Sequence, residues 1–191
     1  MSPIEPRRQD PLVASGGDPD QADVLAAQRD RAAFDVLYRR YLDRVYGYAF
    51  YQLRDHHDAE DATERTFLAA LRALPEFRAE GATFRAWLFR IAHNTIINAR
   101  RSRFRRRTES LPEGLERIAP NADPAGLVLE ADETRRVLRA VGELPEDRRE
   151  VILLRFVDGL SSREIGQVMD RSEGAARVLL HRALRDLAAR L

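Results

Sequence analysis

Cysteine is absent from the 191-residue chain, and so is lysine. Without cysteine there can be no disulfide, thiolate metal ligand or cysteine nucleophile, and the composition fits a reducing, cytoplasmic setting. Without lysine, all 32 basic residues are arginine, a bias we attribute mainly to genome base composition. Long apolar runs are missing too. None approaches the roughly 20 residues that span a bilayer. The opening MSPIEPRRQDPLVASGGDPDQ carries no apolar stretch of the signal-peptide type. A soluble, cytoplasmic protein without membrane insertion is expected. No phosphate loop, metal cluster or nucleophile–base constellation is present, so no enzymatic activity, cofactor or metal is expected. His56 and His57 beside Asp58 and Glu60 are no exception, because adjacent histidines point apart on a helix.

Hydrophobic residues make up 44% of the chain, enough for packed cores, and charged residues 33%, yet the formal net charge is only +1. Any electrostatic partner must therefore be recognised by local charge. Residues 1–22 are rich in Pro, Gly and Asp and read as a disordered tail. Helical spacing then sets in. Phe34, Leu37, Tyr38, Tyr41 and Val45 form one stripe, and Phe67, Leu68, Leu71 and Leu74 a second. Thr83 is positioned to cap a third helix whose apolar face is Phe84, Trp87, Leu88, Ile91, Ala92 and Thr95. Residues 105–122, with Pro112, Gly114 and Pro120, read as a linker. Asp123-Pro124 looks like a cap followed by proline at the first helical position. Val128, Val137, Leu138, Val141 and Leu144 mark the next helix. Pro145 opens another, with Val151, Ile152, Leu154 and Phe156 inward and Gly159 as its stop. No segment alternates in the strand manner. The reading is all-α: two small helical bundles joined by a flexible linker, over 23–104 and 123–191.

The C-terminal bundle should contain a helix-turn-helix. Ser161 and Glu164 have capping-box spacing, with Ile165 and Val168 inward. A break follows at Met169–Arg171, and Ser172 caps a second helix with Ala176, Leu180, Ala183, Leu184 and Leu187 inside. Such a helix enters a major groove by its N-terminal part. Arg171, Ser172, Glu173, Arg177, His181 and Arg182 are the candidate DNA contacts. Arg177 suits a guanine, while Arg171 and Arg182 suit phosphates. An ordinary helical hairpin with a solvated face has the same pattern. Residues 145–191 hold nine arginines against eight acidic residues, a poor balance for a free-standing DNA binder.

Residues 84–107 contain eight arginines and no acidic residue. Asn94 and Asn98, four apart, share a face, with His93 and Thr95 beside them and Trp87, Phe89 and Phe104 nearby. Basic charge with amides and aromatics suits single-stranded nucleic acid. A solvated basic tail and a membrane-surface patch are the competing readings, and Trp87 is expected in the core. Asp58, Asp61, Glu64 and Arg65 form an acidic stripe, either solvated or a docking surface for a basic protein.

DAEDATERTFLAALRALPEF (58–77), FRAWLFRIAHNTIINARRSR (84–103) and LPEDRREVILLRFVDGLSSREIGQVMDRSEGAARVLLHRA (144–183) together resemble the extracytoplasmic-function (ECF) group of sigma-70 family transcription initiation factors. The resemblance spans roughly residues 24–191. It implies a factor that docks on core RNA polymerase, through the β′ clamp and β flap, and reads promoter DNA. Asp58, Asp61, Glu64 and Arg65 would match the polymerase-docking positions. Asn94 would match the pocket for a flipped −10 base, shaped by the loop Phe77–Thr83. Asn98, Arg100, Arg101 and Arg103 would lie near that strand. Arg171, Ser172, Glu173, Arg177, His181 and Arg182 would match the −35 recognition helix and its surround, and an anti-sigma factor is an implied partner. Two departures stand out: Glu64-Arg65 where Gln-Glu is usual, and Val178 and Leu179 where the recognition helix is usually polar or basic. A stand-alone helix-turn-helix regulator is the alternative.

Overall fold

Helix boundaries follow local chemistry closely. The computed structural model describes residues 18–79, 81–109 and 131–191. The first helix, α1 (Gln21–Arg29), follows Asp20, which is almost fully buried and accepts hydrogen bonds from Arg40 and the Tyr41 hydroxyl. Helix α2 (Phe34–Leu53) stops at Arg54, whose φ of 56° breaks the helical run. Asp55 then caps α3 (His56–Ala73) by accepting the Asp58 N–H at 2.9 Å. A short 3-10 turn over Leu74–Glu76 carries Pro75. Helix α4 (Phe84–Glu109) opens where Thr83 Oγ1 accepts the Ala86 N–H at 3.2 Å.

Helices α2, α3 and α4 pack on one another around Leu37, Val45, Tyr48, Ala59, Phe84, Leu88 and Phe89. Burial of these side chains from water is the main force holding the bundle. Trp87 is half-buried against Phe77 and Phe84, with ring centroids 4.7 and 5.5 Å away, and so belongs to the core wall as expected. Phe89 is fully buried edge-on to Tyr48, which removes it from the nucleic-acid surface to which its sequence position pointed. Tyr38 and Leu68, at the margins of their stripes, are partly exposed.

The second bundle comprises α5 (Ala131–Glu143), α6 (Glu146–Ile152), α7 (Ser162–Val168) and α8 (Glu173–Ala188). Helix α6 continues as a π-helical turn over Leu153–Val157 before Gly159, at φ 67°, ends it. The wider turn rotates Phe156 out of the core to 62% exposure, against the expectation from its spacing. Helix α7 carries the expected capping box: Ser161 Oγ accepts the Glu164 N–H, and Glu164 accepts the Ser161 N–H at 2.8 Å. Asp170, at φ 54°, makes the turn. Ser172 caps α8 by accepting the Ala175 N–H. Leu179 is buried in α8, whereas Leu184 is partly exposed, reversing the order in which spacing alone ranked them. Among the described residues no strand is present, and the all-α reading with a helix-turn-helix holds.

The two bundles touch. Helix α4 lies against α7, and α2 against α6. Glu150 of α6 is buried and accepts the Tyr48 hydroxyl hydrogen, while His93 Nδ1 lies 2.5 Å from the same carboxylate. Thr83 Oγ1 donates to Glu164 at 2.6 Å, with Arg85 at 3.3 Å from the same oxygen. Gln167 donates to the Gly81 carbonyl at 2.6 Å. The expected tail and the cap at Asp123-Pro124 lie largely outside the described residues. Helix α4 runs through Glu109, so residues 105–109, read as the start of a linker, are helical.

Candidate nucleic-acid interface

Helix α4 has 26 residues, about 39 Å at 1.5 Å per residue. Its inner side is set by Phe84, Leu88, Phe89, Ala92 and Ile96, all buried. At 100° per residue, Asn94, Asn98, Arg101 and Arg105 fall on one line on the other side, and all four are exposed. Asn98, Arg101 and Arg105 line an open hollow with Arg100 and Ser102. Two neutral amides followed by two guanidiniums offer donors and acceptors for a base edge, then charge for a backbone. Arg105 falls in the stretch whose composition reads as linker, so the sequence pattern does not single it out. Continuing the 3.6-residue period one turn past Arg101 would have found it.

Arg100 and Arg103 do not share that line. Arg100 donates to the Gln52 carbonyl at 2.6 Å and to its side chain at 2.8 Å, and it pairs with Glu146 of the other bundle. Burial lowers its pKa below the usual guanidinium value, against the opposing pull of Glu150. Arg103, on the opposite side of α4 from Asn94, pairs with Asp58 at 3.0 Å. In this arrangement Arg100 serves the bundle contact and Arg103 an exposed ion pair with α3, rather than the Asn94 stripe. The loop before α4 is likewise engaged, through Gly81 and Thr83, by the second bundle.

On α3, Asp61 pairs with Arg65 at 2.9 Å, so the arginine partly neutralises the acidic stripe rather than extending it. Glu64 faces elsewhere. It lies with Asp43 and Glu60 on the rim of a groove between α2 and α3 whose floor includes Tyr38, Leu42, Phe67, Leu68 and Leu71. An apolar floor with an acidic rim fits a basic amphipathic protein surface. Tyr38, Phe67, Leu68 and Leu71 of this floor belong to the two apolar stripes of the sequence, and only Leu42 lies outside them.

In the helix-turn-helix, Gly166 is required by close approach. A Cβ there would stand 2.6 Å from the Arg171 carbonyl oxygen. Helix α8 is thereby held against α7 with Ala176, Leu179, Ala183 and Leu187 inside. Arg171, Ser172, Glu173, Arg177, His181 and Arg182 are all exposed. Arg177 is tied to Glu173 one turn earlier, at 2.6 Å. Val178 is 51% exposed. Of the two departures in this helix, Leu179 is thus a core residue and Val178 a surface one.

At the bundle contact, Asp158 is fully buried, and neither carboxylate oxygen has a hydrogen-bond partner among the described residues. Burial raises its pKa to about 8, although Arg44 and Arg85 oppose the shift. Glu164 moves the other way: burial pushes its pKa up, but the Thr83 hydroxyl, the Ser161 N–H and Arg85 together hold it below the usual value.

An all-α chain with a capped helix-turn-helix in one bundle and an arginine–asparagine helix in the other defines a two-part nucleic-acid-binding protein. Residues 37–106 match the sigma-70 region 2 family and residues 134–187 the sigma-70 region 4 family. The chain is 39% identical over 166 residues to the ECF RNA polymerase sigma factor BldN of Streptomyces coelicolor, covering 86% of this chain and 63% of that protein. It is 32% identical over 197 residues to the ECF RNA polymerase sigma factor SigE of Mycolicibacterium smegmatis, covering 100% of this chain and 76% of the relative. Its fold is similar to that of CnrH, solved in complex with the cytosolic domain of CnrY. The TM-score is 0.65 at 28% identity, over 90% of this chain and 96% of that one. The chain belongs to the ECF sigma factors of the sigma-70 family.

Proposed function

We propose that this chain binds core RNA polymerase and directs it to promoters, with α8 reading −35 duplex and the outer stripe of α4 capturing unpaired −10 DNA. The observation that carries this reading is the exposed line Asn94–Asn98–Arg101–Arg105, on a helix whose residues 84–107 include no acidic side chain. A flipped base costs a few kcal/mol to unstack, which amide contacts at Asn94 and backbone contacts at the arginines offset. The groove between α2 and α3, together with Asp58 and Asp61, supplies the polymerase-docking surface. The work takes place in the cytoplasm, and polymerase performs the chemistry. The similar protein CnrH is solved in complex with the cytosolic domain of CnrY, which supports a bound protein partner, an anti-sigma factor, for this chain as well.

The closed contact between the bundles has a consequence for this function. Helix rise, the Thr83–Glu164 bond and the close approach at Gly166 bound the Asn94–Arg177 separation at roughly 45 Å. The −10 and −35 elements are about 25 base pairs apart, roughly 85 Å at 3.4 Å per pair. The bundles must therefore separate to occupy both. Neither bundle alone carries enough positive charge for tight binding. Once polymerase holds one, the second contact becomes intramolecular and can gain about 10² to 10⁴ in effective affinity.

Gel shift and run-off transcription with purified chain, with and without core polymerase, test the proposal. Promoter binding and transcripts are expected only with core enzyme. Tight specific binding by the chain alone would instead favour a stand-alone regulator.

A further inference from the structure

Over its first two turns the outward centre of the recognition helix carries no charge. In α8 the buried residues Ala176, Leu179, Ala183 and Leu187 fix the inward direction. At 100° per residue, the side facing directly away is occupied by Gly174 and Val178 in the first two turns and by His181 and Arg185 beyond them, with Arg177 and Arg182 about 60–75° to either side. The arginines flank this strip rather than interrupt it. Val178 holds 51% exposure on a surface where a polar residue would cost nothing.

Gly174 supplies an independent observation. A Cβ there would meet nothing within 4 Å, unlike Gly166, so the fold has no packing use for glycine at this position. Glycine inside a helix is less favourable than alanine. A missing side chain that the protein itself does not need points to something outside that approaches closely.

We infer that Gly174 and Val178 form a small apolar strip that enters the major groove and selects thymine in the −35 element through its C5-methyl group. This rests on the promoter-reading function proposed above and specifies how it discriminates. The groove is about 12 Å wide and 8.5 Å deep, close to the diameter of a helix with side chains, so the first turn seats deeply only where its outward side chains are small. Of the four bases, only thymine presents an apolar group on its major-groove edge. Valine against a guanine, cytosine or adenine edge would strip water from a donor or acceptor and offer no hydrogen bond in return. The flanking Arg177 and Arg182 then bracket the thymine with a guanine contact and a phosphate contact.

Deoxyuridine scanning tests this directly, since uracil pairs like thymine and lacks only the methyl. The full chain with core polymerase is assayed by run-off transcription on a promoter it selects, each −35 thymine on either strand being replaced in turn. Burying one methyl group corresponds to about 0.8 kcal/mol, so a drop of about four-fold in initiation is expected at one or two positions. V178A should lose about as much on the thymine promoter and nothing further on the deoxyuridine one. G174A should raise the melting temperature yet weaken initiation, a pairing that a merely structural glycine would not give. The inference is overturned if no deoxyuridine substitution changes initiation, or if V178A remains as sensitive to the methyl as the parent chain. A chain that starts no transcript on any template would refute the promoter-directing function itself.

Discussion

Replacing Glu150 by alanine should open the molecule. Glu150 is the hub of the contact between bundles: its buried carboxylate takes the Tyr48 hydroxyl hydrogen on one side and faces His93 at 2.5 Å on the other. The Tyr48 pKa is driven well above its usual value, by burial first and by Glu150 second, so the phenol remains a donor. With bundles apart, water can reach these groups where they now face the other bundle. With bundles together, the alanine variant leaves the buried Tyr48 hydroxyl and the half-buried His93 ring without their partner. Each such loss costs about 1–3 kcal/mol, and the closed form bears the cost, so it should be disfavoured by roughly 3 kcal/mol. That is about a 150-fold change in the closed-to-open ratio. The absence of native cysteine makes the measurement clean. Cysteines introduced at the exposed positions Arg72 and Ala188 take spin labels, one on each bundle. The parent chain should give one narrow, short distance distribution, and Glu150→Ala a broad, longer one. Tyr48→Phe, which removes one bond only, should fall between them. Identical distributions for parent and Glu150→Ala, or a parent already broad, would refute the reasoning.

Asp158 should impose a pH dependence on stability. Its pKa is raised to about 8 in the fold, so the folded chain keeps a proton that the unfolded chain releases near pH 4. The associated stability is fully present below about pH 4 and lost as pH rises through about 8, with a slope of at most ~1.4 kcal/mol per pH unit. Urea melts from pH 5 to 9 should show this decline, and Asp158→Asn should flatten it. Gly166→Ala places a Cβ 2.6 Å from the Arg171 carbonyl oxygen and should destabilise the helix-turn-helix by about 1–3 kcal/mol, read as a lower urea midpoint. Arg105→Ala should reduce the salt slope of polymerase-dependent binding to a −10 single strand by about 0.7, whereas Arg103→Ala, bound to Asp58, should leave that slope unchanged. Ser161→Ala removes the hydroxyl that accepts the Glu164 N–H, leaves the Ser161 N–H to Glu164 bond in place, and should cost about 1 kcal/mol in thermal melts.

Much of the site was legible before any coordinates, because its signals are local. Capping at Thr83, Ser161 and Ser172 is a matter of one hydroxyl and an amide three residues on, and all three caps formed. The shared face of Asn94 and Asn98 follows from the helical period alone. Trouble came where a helix departs from that period or outruns its apolar stripe. The π turn at Leu153–Val157 turned Phe156 outward, and the continuation of α4 to Glu109 brought Arg105 onto the Asn94 line.

Sequence by itself determined the helical class, the helix-turn-helix, the acid-free basic helix and the family, since each is written in residues a few places apart. Only the tertiary structure decided which charges are free. Arg100 and Arg103 read the same as Arg101 in a linear run, but Gln52, Glu146 and Asp58 claim them from 45 or more residues away. It also decided that Glu150, Asp158 and Glu164 are buried where the bundles meet. Burial of a carboxylate depends on what packs over it, and no local spacing encodes that.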